Sequence, residues 1–212
     1  MERDPKAIVR DGYDRIALTY ECGWSPDPVR AKYLSLALGA KPEGAECLDL
    51  GCSTGAFATG ALAERYAVVG VDISPRSIDL ARAALPEVTF VVADMTELQL
   101  DEASFDLVTA FYSLVHVPSD EHGALLHAVA RWLRPDGVLI ASVGTPDGGA
   151  SWSEDWLGAP MYWCGTTEED ATRLLRDAGL TVECVATESV DEGDRVVRHV
   201  WVVARRPPRS KS

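Results

Sequence analysis

A glycine turn and the acids around it mark the part of this chain that can do chemistry. Residues 48–58 read Leu-Asp-Leu-Gly-Cys-Ser-Thr-Gly-Ala-Phe-Ala, an apolar run that reaches Gly51 and Gly55 and then turns helical. A second apolar run, 67–71, ends at Asp72. A carboxylate about 20 residues past the first glycine of such a turn is where an open α/β sheet grips a ribose. The pattern G-x-G-x-x-G would place glycines at 51, 53 and 56, but Ser53 and Ala56 stand there. The middle glycine lets bare backbone approach a pyrophosphate, so Ser53 would crowd a dinucleotide. A phosphate-binding P-loop is excluded, since no Gly-Lys-Ser or Gly-Lys-Thr follows the turn.

A cofactor with a ribose and no phosphate suits the loop better, and S-adenosylmethionine is one. The segment resembles the first motif of class I S-adenosylmethionine-dependent methyltransferases, an acid followed by G-x-G-x-G, with Ser53 in place of the middle glycine. The resemblance continues in order along most of the chain. Val-Val-Gly-Val-Asp-Ile-Ser, ending at Ser74, is similar to the second motif, and Phe-Val-Val-Ala-Asp-Met, ending at Met95, to the third. Ser-Phe-Asp-Leu-Val-Thr-Ala-Phe from Ser104 looks like the fourth strand, and Trp-Leu-Arg-Pro-Asp-Gly-Val-Leu-Ile from Trp132 like the helix, turn and strand after it.

The resemblance implies a site. Asp72 would accept from both ribose hydroxyls, Asp94 would bind the adenine amino group, and Asp49 would lie near the cofactor's ammonium. Backbone N–H groups from Gly51 to Gly55 would meet its carboxylate at a helix N-terminus. Cys52, Ser53, Ile73, Met95, Phe111 and Tyr112 complete the expected cofactor contacts, and Tyr20 or Tyr13 would close over it from an N-terminal cap.

Methyl transfer from a sulfonium is an in-line displacement at roughly 3 Å, and no fixed catalytic residue type is required. The loop after the fourth strand, Phe111 to Pro118, is the place to look for a base, and His116 is its only histidine. His116 is a candidate general base, or it packs on the following helix through one hydrogen bond. Tyr112 lines the pocket or joins the core, and His199, in a terminal strand, is expected to be structural.

These groups need elements to position them. Strand-like and helix-like runs alternate, which implies an α/β fold: a three-layer α-β-α sandwich around a mostly parallel seven-stranded sheet. Helices are expected near 5–20, 28–39, 55–65, 75–84, 121–133 and 167–178, and strands at 45–50, 67–71, 88–92, 105–111 and 137–143. Runs 180–188 and 195–204 would pair as an antiparallel hairpin through a turn at 190–194, and the resemblance makes the last strand antiparallel to its neighbours. The expected organisation is a single domain: a helical cap (1–40), a cofactor-binding core (45–143), a lid (144–165), a C-terminal helix and hairpin (166–206), and a tail (207–212). The lid is a long connection rich in rings, with Trp152, Trp156, Tyr162 and Trp163, so it is read as an ordered loop over the sheet's carboxyl edge. With Tyr13, Tyr112 and His116, the rings of Trp156, Tyr162 and Trp163 are the expected substrate contacts. A flat or apolar substrate would suit them.

The 212 residues carry a net charge of −13, which argues against a nucleic-acid substrate. Five cysteines, Cys22, Cys47, Cys52, Cys164 and Cys184, are an odd number without paired spacing, so reduced thiols and no metal are expected. No apolar run reaches a membrane span and no signal peptide is seen, so a cytoplasmic monomer or homodimer acting on a small molecule is expected. The alternative activity is a cyclisation or rearrangement assisted by bound S-adenosylmethionine without methyl transfer.

Overall fold

The computed structural model describes residues 4–20, 27–191 and 195–208. Helices α1 (Pro5–Tyr20) and α2 (Pro28–Ala40) precede an alternating core: β1 (Glu46–Leu50), α3 (Thr59–Ala63), β2 (Ala67–Asp72), α4 (Pro75–Ala84), β3 (Thr89–Val92), β4 (Phe105–Ala110), α5 (Ser119–Trp132) and β5 (Leu133–Gly144). Strands β6 (Gly149–Trp156) and β7 (Ala159–Gly165), helix α6 (Glu168–Asp177), and strands β8 (Thr181–Asp191) and β9 (Val196–Arg205) complete it. The seven-stranded sheet has the order β3-β2-β1-β4-β5-β9-β8. Strand β9 runs antiparallel to both β5 and β8, while the five strands from β3 to β5 are mutually parallel.

Both sheet faces are covered, which is why its central strands read as unbroken apolar runs. Successive residues of β1 face opposite sides. Leu48 and Leu50 pack with Leu125, Val129 and Leu175 of α5 and α6. Cys47 packs with Tyr33 and Ala37 of α2 and Leu62 of α3. Tyr33 stacks on Trp201 of β9 with ring centres 4.2 Å apart, which pins α2 to the far half of the sheet. Helix α4 starts as its sequence dictates: Ser74 caps it by accepting from the Ser77 N–H, and Pro75 follows at the first helical position.

The structure departs from the sequence reading in four places. The 144–165 connection is a second, two-stranded sheet, β6 paired with β7, and not a loop. The helix expected at 55–65 shrinks to the five residues of α3, because Ala58 has no side-chain acceptor to cap an earlier start. The strand expected at 137–143 begins at Leu133, and the Arg-Pro-Asp-Gly segment is absorbed as an irregularity in the β4–β5 ladder. Strand β8 runs on past its expected end at 188 to Asp191, while β9 keeps its expected length, shifted by one residue. The middle of the turn at 190–194, Cys22 and the end of the basic tail lie outside the described residues. No described helix is long and apolar enough to cross a membrane.

Candidate active site

Strand β1 and its neighbour β4 point their carboxyl ends at a crevice of about 880 Å³, part of it open to solvent, which α1 lines with Lys6, Val9, Tyr13 and Tyr20. This is the edge where open α/β sheets bind ligands. The turn after β1 is tied down internally. The N–H groups of Gly51 and Cys52 both donate to the Val71 carbonyl, and that of Gly55 to Cys52. Ser53 stands in the left-handed region at φ 51°, the conformation a glycine would take there. This costs a non-glycine residue about 1–2 kcal/mol. In return its N–H donates to Asp72 Oδ2 at 2.9 Å. The backbone shape of the glycine motif is therefore kept despite the serine.

Three acids face the crevice, each held differently. Asp49 is buried and accepts from Thr59 Oγ1 at 2.6 Å and Thr109 Oγ1 at 2.8 Å; burial pushes its carboxyl up against these two hydrogen bonds. Asp72 accepts from the Ser53 and Ser74 N–H groups, and burial lifts it to about 6. Neither acid forms an ion pair among the described residues. Asp94 differs: its Oδ2 lies 2.8 Å from Lys6 Nζ on α1, and its Oδ1 accepts from Thr96. Burial raises Asp94, but Lys6 and Thr96 outweigh it and hold the carboxyl below the usual range. Lys6 also reaches Glu121 at 2.7 Å, and Asp14 on α1 accepts from Ser74 Oγ and the Arg76 N–H. Helix α1 is thus tied down near its N-terminal end by Lys6 and just past its middle by Asp14.

A second cavity of about 1180 Å³ adjoins the first, between α1, the β6–β7 pair and the ends of β8 and β9. Tyr13, Tyr20, Tyr112 and His116 line both cavities and so mark their junction. His116 sits in the single 3-10 turn between β4 and α5. Its Nδ1 is 2.7 Å from the Tyr162 carbonyl and its Nε2 is 2.8 Å from Tyr13 Oη. Burial lowers its pKa to about 4. Tyr112 stands at φ 56°, another left-handed non-glycine at the site. Its N–H donates to Ser142 Oγ, and its hydroxyl donates to Asp27 at 2.7 Å.

Most residues singled out from the sequence do gather here. Asp49, Gly51, Cys52, Ser53, Asp72, Ile73, Asp94, Met95, Phe111 and Tyr20 line the first cavity, and Trp156 and Trp163 the second. Several expectations need correction. The N–H groups of residues 51, 52, 53 and 55 are already paired within the protein, and α3 begins only at Thr59, so no open helix N-terminus faces the crevice. Gly55 lines neither cavity; a Cβ there would lie 2.8 Å from Leu85 Cδ1, so it serves packing. The Tyr162 ring turns away onto Trp152, and only its carbonyl reaches the site. His116 packs through two hydrogen bonds, to α1 and β7, and not through one to α5.

Sequence reasoning also missed wall residues. Arg30 on α2 enters the first cavity with its guanidinium 4.6 Å from the Phe57 ring centre. His199 on β9, expected to be structural, lines the second and meets Tyr112 edge-on. Lys6 closes the first from α1. None belongs to a local motif, so no sequence signal pointed to them.

A mostly parallel sheet covered on both faces, with a crevice at the β1–β4 edge and an acid, Asp72, at the end of β2, places the chain in the doubly wound α/β class. The family profile described as "Methyltransferase domain" matches residues 47–137. The chain is 34% identical over 175 residues to a ubiquinone biosynthesis O-methyltransferase from Xanthomonas axonopodis pv. citri (strain 306), covering 76% of this chain and 72% of that protein. It belongs to the class I S-adenosylmethionine-dependent methyltransferases, whose cofactor is S-adenosylmethionine. Against several other curated relatives it spans only about half of their length.

Solved structures agree on the fold. One is the Burkholderia thailandensis 1,6-didemethyltoxoflavin-N1-methyltransferase with bound 1,6-didemethyltoxoflavin and S-adenosylhomocysteine (TM-score 0.73, 24% identity, 98% of this chain and 92% of that one). Another is the [4+2]-cyclase SpnF (TM-score 0.72, 16% identity, 97% and 98%).

Proposed function

We propose that this protein transfers the methyl group of S-adenosylmethionine to an oxygen, nitrogen or sulfur atom of a small molecule held in the second cavity. The observation that carries the reading is the shared wall of Tyr13, Tyr20, Tyr112 and His116, where the crevice lined by Asp49, Asp72 and Asp94 adjoins a second space that could take an acceptor. The donor set fits the cofactor. Asp72, a carboxylate without a cation, suits a ribose diol, because each oxygen can accept a hydroxyl. Asp49 suits an ammonium, which would relieve its buried charge. Asp94 would take the adenine amino group alongside Lys6. Arg30 replaces the misread helix N-terminus as partner for the carboxylate, through bidentate hydrogen bonding.

When bound, the sulfonium supplies an activated methyl group and leaves as a neutral thioether. The protein's own part is to orient the acceptor, exclude water beneath α1 and accept a proton near His116. Trp156 and Trp163, set edge to face at 5.5 Å, give the acceptor cavity an aromatic wall suited to a flat ring. The similarity to a ubiquinone biosynthesis O-methyltransferase and to an enzyme that binds 1,6-didemethyltoxoflavin supports that reading, and a net charge of −13 weighs against nucleic acid.

The fold likeness to a [4+2]-cyclase gives the second reading, in which bound cofactor assists a cyclisation. Product analysis separates the two. Methyl-labelled S-adenosylmethionine is incubated with the protein and a panel of catechols, hydroxyquinones and hydroxylated heterocycles. The expected result is one S-adenosylhomocysteine per labelled product. Turnover with the cofactor intact would select the second reading, and absence of cofactor binding by calorimetry would end both.

A further inference from the structure

We propose that the acceptor atom is a hydroxyl oxygen whose proton leaves through the Tyr13 hydroxyl to Nε2 of His116. This rests on the methyl-transfer reading and names the atom that reading leaves open. The polarity of the pair follows from one fixed end. The Tyr162 carbonyl, 2.7 Å from His116 Nδ1, can only accept, so Nδ1 carries the ring's proton. The lone pair of the neutral ring is then on Nε2, and Tyr13, 2.8 Å away, must donate to it. The Tyr13 oxygen, which is also hydrogen-bonded with Tyr20, keeps one lone pair at the junction of the two cavities, both of which it lines. What the site offers an incoming molecule is an acceptor, and it selects a molecule that arrives with an X–H bond.

The groups facing this pair narrow the choice of X. They are Tyr20 on α1, Tyr112 between β4 and α5, His199 on β9 and, through space, Asp72. The acid in the second cavity nearest to these rings, Asp27, is engaged by the Tyr112 hydroxyl and by the Val29 and Arg30 N–H groups. No carboxylate hydrogen-bonds to Tyr13 or His116 among the described residues, so nothing at the junction is built to hold a cationic amine. Burial, and then Tyr20, hold the Tyr13 phenol far above its ordinary value, so it works as a neutral conduit.

His116 is itself a weak base, with burial holding it at about 4. It can draw a proton only from a group that turns strongly acidic as the reaction proceeds. A hydroxyl oxygen does so when it gains a methyl group. An alkylamine once methylated stays as basic as lysine, with a pKa of about 10, and keeps its proton. A thiol ionises unaided near its own pKa of about 8.5 and needs no relay.

The step balances. The acceptor oxygen bonds to the methyl carbon as the carbon–sulfur bond breaks, and that electron pair stays on sulfur. The hydroxyl proton passes to Tyr13 Oη while the Tyr13 proton passes to Nε2. One positive charge disappears at sulfur and one appears on the imidazole. After product leaves, the imidazolium returns the proton to water through Tyr13.

Two measurements test the assignment. Nitrogen-15 NMR of the unliganded protein, with and without the Tyr13→Phe change, reads the His116 tautomer. The proton is expected on Nδ1, with the Nε2 resonance shifted in Tyr13→Phe; a proton on Nε2 would overturn the proposal. In the second, acceptors of similar shape bearing hydroxyl, alkylamino or thiol groups (catechol, 2-(aminomethyl)phenol, 2-mercaptophenol) are compared for the atom methylated. Methylation on oxygen is expected, with Tyr13→Phe and His116→Ala each lowering kcat about 10²–10⁴-fold, non-additively, and cofactor affinity changed less than about threefold. Methylation of the amino group of 2-(aminomethyl)phenol, or an undiminished kcat in both variants, would refute it and leave the methyl-transfer reading standing. Failure to bind S-adenosylmethionine would instead remove the reading beneath it.

Discussion

Cofactor affinity should depend on pH through Asp72, and the size of the effect can be worked out. In the free protein this carboxyl is lifted to about 6, chiefly by burial, against two backbone hydrogen bonds that favour the charge. A ribose diol donating to both oxygens, with a cation nearby, favours the carboxylate, so binding expels whatever proton Asp72 holds. The affinity penalty is the ratio of all forms of Asp72 to its ionised form. With a free pKa of about 6, that ratio is roughly 11 at pH 5 and roughly 1.1 at pH 7, a loss of about tenfold or ~1.4 kcal/mol. The cofactor's own amino group, with a pKa of about 8, stays protonated across this window. Calorimetry at pH 6 in two buffers of different ionisation enthalpy should show about half a proton released per cofactor bound. Asp72→Asn should abolish that part of the dependence, and Asp72→Ala should weaken binding by roughly 2–4 kcal/mol, the worth of two coupled charged hydrogen bonds. Equal affinity at pH 5 and pH 7, or proton uptake on binding, would refute the placement of ribose on Asp72.

The two histidines of the junction should make the fold acid-sensitive. Burial lowers both His116 and His199 from 6.5 to about 4. A depressed folded-state pKa means stability that is present above the unfolded value and lost as pH falls towards 4, up to about 3 kcal/mol for each. Asp72 works the other way, since its raised pKa makes the folded state relatively more stable as pH falls from 6 towards 3.8. Urea unfolding at pH 7 and pH 4.5 should therefore show a net loss, reduced by about 2–3 kcal/mol in His199→Phe; equal loss in variant and parent would exclude His199 as a source. Gly51→Ala should destabilise by at least about 2 kcal/mol, since it adds left-handed strain to a collision. Gly51 lies at φ 77° and a Cβ would fall 2.2 Å from Ser113 Cβ. A variant with unchanged urea midpoint would show that the β1 turn can yield.

What the sequence disclosed was local. Asp72 at the end of β2, the glycine turn and the Ser74–Pro75 helix start lie in short segments whose neighbours in sequence are neighbours in space, and the structure puts strand end, turn and helix start at those residues. The β6–β7 pair escaped because β6 is exposed along almost its whole length. Its strand carries no apolar alternation, and its stability comes from β7, whose Met161, Tyr162 and Cys164 are buried against α1. Lys6 and Asp94 are 88 positions apart, and Arg30 and His199 enter from helix α2 and strand β9. No spacing rule reports which distant helix face will cover a crevice. Tyr162 illustrates the same limit within one residue: the ring attracted attention as a substrate contact, yet the group that acts at the site is its backbone oxygen, which every residue has.

The tension in the crevice explains why α1 is needed. Asp49 and Asp72 are held away from water without a cation, an arrangement that costs stability in the free protein. A fully open crevice would hydrate both acids and make them ordinary surface carboxylates, with little reason to prefer a cationic ligand over water. By latching across the edge through Lys6 and Asp14, α1 keeps them dry while spending its own lysine on Asp94 rather than on either of them. The unpaired charge is thereby reserved for the ligand. Loosening the Lys6 latch, by Lys6→Ala, should therefore weaken cofactor retention, which calorimetry would read as a raised Kd.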